Sequence, residues 1–133
     1  MVKSLTGLPY SNASLLDEAS AAGEALNLSY AYYKKKKKKL IVSEDIHPQT
    51  LDVLDTRAST LGIKMELMEN VKFDDLDPKE LCNIIFQYPD TKGDVDVPFD
   101  LIDFAKENDI LTTGITDLLA LTKLVTPGEL GID

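Results

Sequence analysis

Three polar segments that could build a binding site follow apolar runs of this sequence. His47, the only histidine, comes after the run 39–43, Tyr88-Pro89-Asp90 follows 82–86, and Asp117 follows 110–115. If these runs are parallel strands, their carboxyl ends lie at one edge of a sheet, which is where ligands bind in such folds. The sequence therefore predicts a binding site at the edge that carries these segments.

Each of these residues also has an ordinary structural interpretation. His47 and Asp117 can act as caps, since Pro48 suits the first position of a helix and an apolar turn follows Asp117. Tyr88-Pro89-Asp90 can be a plain turn. Cys82 opens an apolar run with no base beside it, which is typical of a small core residue rather than of a nucleophile. The sequence leaves both interpretations open for the first three.

The sequence predicts three helices before and between these segments. Asn12-Ala13-Ser14 offers oxygen atoms that cap a helix, and apolar residues recur every three or four positions from Leu15 to Tyr30. Gly23 within that helix indicates close packing. A second helix begins at Pro48 and ends before Gly62. A third covers 98–107, and the residues predicted on its buried side are Phe99, Ile102, Phe104 and Ala105. The segment 127–131 is predicted as loop.

Four short apolar runs between the helices predict strands at 39–43, 63–68, 82–86 and 110–115. Lys64 and Glu66 place the second of them at an edge of the sheet. Strands that alternate with helices favour parallel units with right-handed crossovers, so we expect 39–43 between 63–68 and 83–87, with 110–114 beyond. The expected fold class is α/β, a three-layer α/β/α arrangement with a mainly parallel sheet.

Composition narrows the possible functions. The chain has 133 residues, a net charge of −9, one Cys and one His, which excludes an internal disulfide and disfavours a zinc site. No apolar run is long enough to cross a membrane, and residues 1–9 lack the pattern of a targeting segment. The acidity argues against a nucleic-acid partner, although Tyr30, Tyr32 and Tyr33 stand beside the lysine run 34–39. That run is either a tether for an anionic partner or a solvated helix end.

Longer strings of the sequence closely resemble the amino-terminal half of the glycine cleavage P-protein (glycine decarboxylase) family. They cover nearly the whole chain in order: Thr6-Gly7-Leu8, Ser11-Asn12-Ala13-Ser14-Leu15-Leu16-Asp17-Glu18, His47-Pro48-Gln49-Thr50-Leu51, Thr56-Arg57-Ala58, Phe86-Gln87-Tyr88-Pro89-Asp90-Thr91, Thr116-Asp117-Leu118-Leu119-Ala120-Leu121 and Pro127-Gly128-Glu129-Leu130-Gly131.

The resemblance implies a pyridoxal-phosphate (PLP) enzyme with the aspartate-aminotransferase-like fold, which decarboxylates glycine and passes the aminomethyl group to the lipoyl arm of the H-protein. It implies that residues 1–133 form a single domain, part of the large PLP-transferase-like domain of a degenerate first half. Expected partners are the remainder of the P-protein or its second half, the H-protein and further copies of the chain, with no nucleic acid and no membrane. The implied compartment is the mitochondrial matrix in eukaryotes and the cytoplasm in bacteria.

The resemblance also implies vestigial cofactor positions. Asp117 stands where the residue facing the pyridine nitrogen would be, His47 stands where the stacking ring would be, and the helix start at Ala19 and Ser20 occupies the place of the phosphate cradle. Asp17 and Glu18 put negative charge there, which is unfavourable for a phosphate. The only lysine after Asp117 is Lys123, on an apolar turn.

We therefore expect no Schiff-base lysine, no PLP on this chain alone and no catalytic residue. The expected role is that of a scaffold and interface fragment of a glycine dehydrogenase. The alternative is a stand-alone, receiver-like binding module, since Glu44-Asp45 and Asp90 mimic an acidic pocket. Against that alternative, a helix precedes the first strand. Because strand 110–114 carries no charge, we also expect its outer edge to be open and the chain to associate.

Overall fold

The architecture is a four-stranded parallel sheet with helices on both faces. A computed structural model describes the backbone of residues 1–133 and every side chain except that of Phe73. The strands are β1 (Lys39–Val42), β2 (Lys64–Leu67), β3 (Leu81–Gln87) and β4 (Leu111–Ile115). The helices are α1 (Val2–Thr6), α2 (Glu18–Tyr32), α3 (Pro48–Leu61), α4 (Phe99–Glu107) and α5 (Pro127–Leu130), with short 3₁₀ turns at Met68–Asn70, Phe73–Asp75 and Ala120–Thr122.

The strand order is β2-β1-β3-β4 with every neighbouring pair parallel, which confirms the predicted order and fold class. The charged strand β2 lies at one edge, where Glu66 forms ion pairs with Lys39 at 2.9 Å and Lys64 at 2.6 Å. These bonds to Lys64 and Lys39 lower the pKa of Glu66. Charges on an edge strand discourage pairing with another chain, so β2 is the protected edge of the sheet.

Two apolar layers fix which helices lie on which face. Helices α2 and α3 cover one face, where Leu26 and Leu54 are fully buried against β1 and β3. Helix α4 covers the other face through Leu101, Ile102 and Ala105. The central strands β1 and β3 are buried on both sides, as expected of a parallel sheet between two helical layers, whereas the edge strand β2 has no fully buried residue.

The register of β3 shifts by one residue opposite the start of β1. Lys39 is level with Leu81, whereas Leu40 is level with Asn83, so Cys82 is the extra residue. Asn83 then points toward α2 and donates hydrogen bonds to Ser29 Oγ at 3.1 Å and Thr113 Oγ1 at 2.9 Å. This places Gln87, four residues on, at the carboxyl edge of the sheet.

Several local expectations are wrong. The first long helix begins at Glu18 and is capped by Asp17 instead of Asn12-Ala13-Ser14, and Leu16 is 90% exposed. Phe99 is 54% exposed because the buried side of α4 is formed by Leu101, Ile102 and Ala105. The segment predicted as closing loop contains helix α5.

Helix α5 forms because its first turn is fully capped. Thr126 accepts a hydrogen bond from Glu129 N–H, the Glu129 carboxylate accepts one from Thr126 N–H, and Pro127 stands at the first helical position. A Cβ atom at Gly128 would overlap the backbone carbonyl of Gly7, so only glycine permits this approach of α5 to the end of α1. Among the helices that the structure describes, none is long and apolar enough to span a bilayer.

Candidate functional site

His47 lies between β1 and α3 at the carboxyl edge, and a buried glutamine of the neighbouring strand holds it. Its backbone N–H donates to Gln87 Oε1 at 2.9 Å, and Gln87 Nε2 donates to the carbonyl of Pro89 at 3.1 Å. These two bonds fix the orientation of the Gln87 amide, because a backbone N–H needs an acceptor and a carbonyl needs a donor.

The same amide determines the tautomer of His47. Gln87 Nε2 lies 3.1 Å from His47 Nε2, and Thr91 Oγ1 lies 2.8 Å from His47 Nδ1. Because an amide nitrogen only donates, His47 Nε2 accepts, and the ring proton of the neutral imidazole resides on Nδ1, which donates to Thr91. Both ring nitrogens are therefore engaged within the protein.

Asp117 lies in an exposed position just beyond β4. Its Oδ1 accepts a hydrogen bond from Leu119 N–H at 3.0 Å, and its carbonyl accepts one from Leu121 N–H at 3.2 Å. These bonds hold the turn that leads into Ala120–Thr122. The capping interpretation accounts for every contact that the structure gives this carboxylate.

The start of α2 also binds its own carboxylate. Asp17 Oδ1 accepts a hydrogen bond from Ser20 N–H at 2.7 Å, and the Asp17 carbonyl accepts one from Ala21 N–H at 3.0 Å. The bonds to Ser20 lower the pKa of Asp17, so this cap remains charged at neutral pH. Ala19 and Ser20, the predicted phosphate cradle, are half-buried beneath it.

A cleft of about 310 Å³ joins the first turns of α2 to the end of β4. Glu18, Ala21 and Ala22 line one wall, and residues 113–116 line the other. Thr116 Oγ1 in this cleft is buried and has no hydrogen-bond partner among the described residues. The structure thus brings the start of α2 close to the end of β4, while His47 belongs to the other end of the edge, beyond β3.

The Tyr88-Pro89-Asp90 segment is a turn held by its own carboxylate. Asp90 Oδ1 accepts hydrogen bonds from Lys92 N–H at 2.8 Å and from Asp94 N–H at 2.9 Å. Asp45, part of the acidic pocket of the alternative hypothesis, is paired with Lys92 at 2.6 Å. The described residues contain no cluster of acidic, histidine or cysteine side chains arranged to hold a metal ion.

Gln87, Thr91 and Thr116 are the residues of this edge that the sequence interpretation did not single out. Gln87 is a polar residue at the end of an otherwise apolar strand and is only 6% exposed. A buried amide must find hydrogen-bond partners, so its position one strand from His47 was the available signal. Thr91 and Thr116 carry no such signal, because threonine is common in turns and strand ends.

Cys82 is a core residue, as its sequence context predicts. Burial raises the pKa of its thiol to about 11, and its Sγ donates to the carbonyl of Lys39 at 3.1 Å. A thiol that remains protonated and is fully buried is a poor nucleophile. Cys82 therefore does not belong to the candidate site.

Comparison with known proteins assigns the family. The family model described as glycine cleavage system P-protein matches residues 1–133. Over the whole chain, identity is 46% to mouse "Glycine dehydrogenase (decarboxylating), mitochondrial", 42% to the pea protein of the same name, and 41% to "Glycine dehydrogenase (decarboxylating)" of Bdellovibrio bacteriovorus. The chain spans 13%, 12% and 14% of the lengths of these relatives, respectively.

A solved structure supports the fold. A crystal structure of glycine decarboxylase (P-protein) of the glycine cleavage system, in inhibitor-bound form, superposes with a TM-score of 0.87 at 24% identity and covers 99% of this chain and 30% of that one. At this identity the likeness establishes the fold alone, and the receiver-like alternative finds no support. Since the family model matches every residue, the chain belongs to the glycine cleavage system P-protein family.

Proposed function

We propose that this chain is a scaffold and interface segment of a glycine-decarboxylating P-protein and holds no complete cofactor site. Family membership supports the reaction class, and the small share of each relative that the chain spans supports the role of a segment. In the complete protein, the proposed activity is PLP-dependent decarboxylation of glycine with transfer of the aminomethyl group to the lipoyl arm of the H-protein. The proposed compartment is the mitochondrial matrix for a eukaryotic source and the cytoplasm for a bacterial one, and the names of the mouse and pea relatives support the first of these.

The observation that carries this proposal is the occupied helix start at the cleft. A phosphate binds a helix N-terminus through free backbone N–H groups. In α2 the Ser20 N–H is already bonded to the Asp17 carboxylate, and Glu18 lines the cleft as a second negative charge. An incoming phosphate would have to displace the first carboxylate and approach the second, so this helix start does not fit the cofactor.

The other cofactor positions do not fit PLP either. No lysine lines the cleft between α2 and β4. Lys92, at the other end of the edge, is paired with Asp45, and Lys123 is exposed at the end of a 3₁₀ turn. Both ring nitrogens of His47 and the Oδ1 atom of Asp117 are hydrogen-bonded within the chain. We therefore assign no catalytic step to this chain and regard His47, Asp117, Ala19 and Ser20 as vestigial positions.

Borohydride trapping tests the proposal. The purified chain is mixed with PLP, reduced and digested, and the modified lysines are identified by mass spectrometry. We expect only scattered, low-level labelling of the exposed lysines in the run 34–39, because exposed amines react weakly with any aldehyde. A full-length P-protein serves as the positive control. Stoichiometric labelling of one lysine of the chain would overturn the proposal.

A further inference from the structure

We propose that the turn formed by Lys34 to Lys39, the lysine turn, is a docking site for an acidic segment of a partner polypeptide. The turn joins the end of α2 to the start of β1, so it lies at the amino edge of the sheet, opposite the candidate site. It contains six of the 14 basic residues of the chain, leaving 8 basic residues against 23 acidic ones elsewhere.

The lysine turn has an unfavourable backbone. Lys34 and Lys35 adopt left-handed conformations with φ of 55° and 61°. Their N–H groups donate to the carbonyls of Ala31 and Tyr30, both at 2.9 Å, and so close the end of α2. Glycine or asparagine is the usual choice at such positions, because a Cβ atom disfavours them. Two consecutive lysines here bring both steric strain and charge repulsion.

Among the described residues, only two of the six lysine side chains have a partner within the chain. Lys37 Nζ lies 3.8 Å above the Tyr33 ring and donates to the carbonyl of Asp109 at 3.2 Å, while Lys39 pairs with Glu66 at 2.9 Å. The remaining four make no ion pair among the described residues, although the chain is rich in carboxylates. These four are exposed: Lys34, Lys35, Lys36 and Lys38. Exposed lysines that include two left-handed residues and whose side chains stabilise nothing within the chain are the pattern expected of a functional surface.

The lysine turn also borders a concave surface. A cleft of about 340 Å³ is lined by Lys36, Lys38, Lys39, Lys64 and Glu80. Two of its lysines, Lys39 and Lys64, share the single carboxylate of Glu66. The cleft therefore carries an excess of positive charge in a space large enough for a few carboxylate side chains.

Charge complementarity selects the occupant. A nucleic acid or an anionic membrane presents negative charge over a large area and would also meet the acidic remainder of the surface, where carboxylates outnumber cations almost three to one. A short acidic stretch of polypeptide meets only the lysine turn. Rim charges of this kind accelerate and orient association more than they add affinity, which suits a transient partner.

Fluorescence anisotropy with a fluorescein-labelled hexaglutamate peptide tests the proposal. The full chain is compared with the double variant Lys36→Gln/Lys38→Gln and with a matched control, Lys72→Gln/Lys79→Gln, which removes the same charge from exposed lysines elsewhere. We expect saturable binding at low salt that weakens as salt is raised. The double variant Lys36→Gln/Lys38→Gln should bind the peptide about five- to tenfold more weakly, since each exposed ion pair contributes modestly. The affinity of the control variant should change by less than about twofold.

Competition identifies the class of partner. A single-stranded oligonucleotide and vesicles containing phosphatidylserine, each compared at equal charge, should displace the peptide less effectively than unlabelled hexaglutamate does. Equal weakening by both double variants, tighter binding of the oligonucleotide or the vesicles, or no peptide binding at low salt would each overturn the proposal. Circular dichroism of both variants, compared with that of the parent chain, verifies that they are folded.

Discussion

Gln87 holds His47 at two points, its backbone N–H and its ring. Oε1 accepts from His47 N–H at 2.9 Å, and Nε2 lies 3.1 Å from His47 Nε2. One side chain at the end of β3 thus sets both the path of the chain into α3 and the tautomer of the only histidine. The part of the carboxyl edge around His47 is therefore internally bonded and does not present its side chains for a ligand.

Replacing Gln87 tests this relationship. Gln87→Leu leaves His47 N–H and the Pro89 carbonyl without partners, so the free energy of unfolding should fall by about 1–3 kcal/mol in a denaturant titration. Gln49→Leu, on the exposed first turn of α3, is the matched control and should change it by less than about 0.5 kcal/mol. Gln87→Glu replaces the donor that faces His47 Nε2 with an acceptor. Nitrogen NMR shifts should then report a proton on Nε2, whereas an unchanged Nδ1–H ring would contradict the assignment.

The parts of the fold that the sequence predicts correctly are those determined by many residues together. The strand order follows from short right-handed connections and from the fold that the family resemblance implies, and the charges of Lys64 and Glu66 correctly mark β2 as an edge. The end of α3 is equally predictable, because Gly62 adopts the left-handed conformation that its residue type favours, with φ of 68°.

The sequence does not predict a feature when several neighbouring residues could form it equally well or when its partners are distant. Asn12, Ser14 and Asp17 all suit a helix cap, and the local sequence does not distinguish Asp17, which caps α2 in the structure. At the carboxyl edge, sequence correctly places His47 and Asp117 near the strand ends. It cannot show that the ring nitrogens of His47 are bonded internally, because their partners Gln87 and Thr91 lie in another segment. The cap that Asp117 forms with Leu119 is a local contact, and the sequence does suggest it.

The cap of α2 predicts a specific response to pH. Because the pKa of Asp17 lies below its ordinary value of 3.8 in the folded chain, its charge contributes stability above that value, and the contribution is lost as pH falls through the folded pKa. Asp17→Asn keeps an oxygen that can cap but removes this charge. The difference in melting temperature between parent and variant should therefore shrink between about pH 5 and pH 2. A difference that is constant over this range would contradict the assignment.

The buried thiol predicts chemical inertness. With a pKa of about 11 against an ordinary 9.0, folded Cys82 should react with iodoacetamide at pH 8 at least about 100-fold more slowly than in the urea-unfolded chain, where burial also disappears. Because Cys82 is the only cysteine, the mass of the intact chain reports its modification directly. Comparable rates in the folded and unfolded chain would show that β3 opens readily.

The edge at β4 determines where a partner of this chain should pack. The expectation of a fully open edge needs correction, because Thr112 N–H donates to Asp133 Oδ2 at 3.0 Å and Thr112 is only 3% exposed. An apolar cavity of about 410 Å³ nevertheless lies beside this strand. Its rim includes Leu28 and Tyr32 of α2, which are 70% and 62% exposed. A substitution at Thr112 would break the contact with Asp133, so Leu28 is the better position for a test.

We expect the isolated chain to associate through this surface, because exposed apolar patches of this kind ordinarily mark an interface. Sedimentation velocity over a hundredfold concentration range should show a defined oligomer instead of precipitate, since the net charge of −9 opposes aggregation. Leu28→Glu should weaken association about tenfold, as a carboxylate would have to be desolvated in the contact. Thr56→Glu, which adds the same charge to the exposed side of α3, should leave it unchanged. A monomeric parent chain at every concentration would show that the helices around β4 already cover this side sufficiently, and the partner surface would then have to be sought elsewhere.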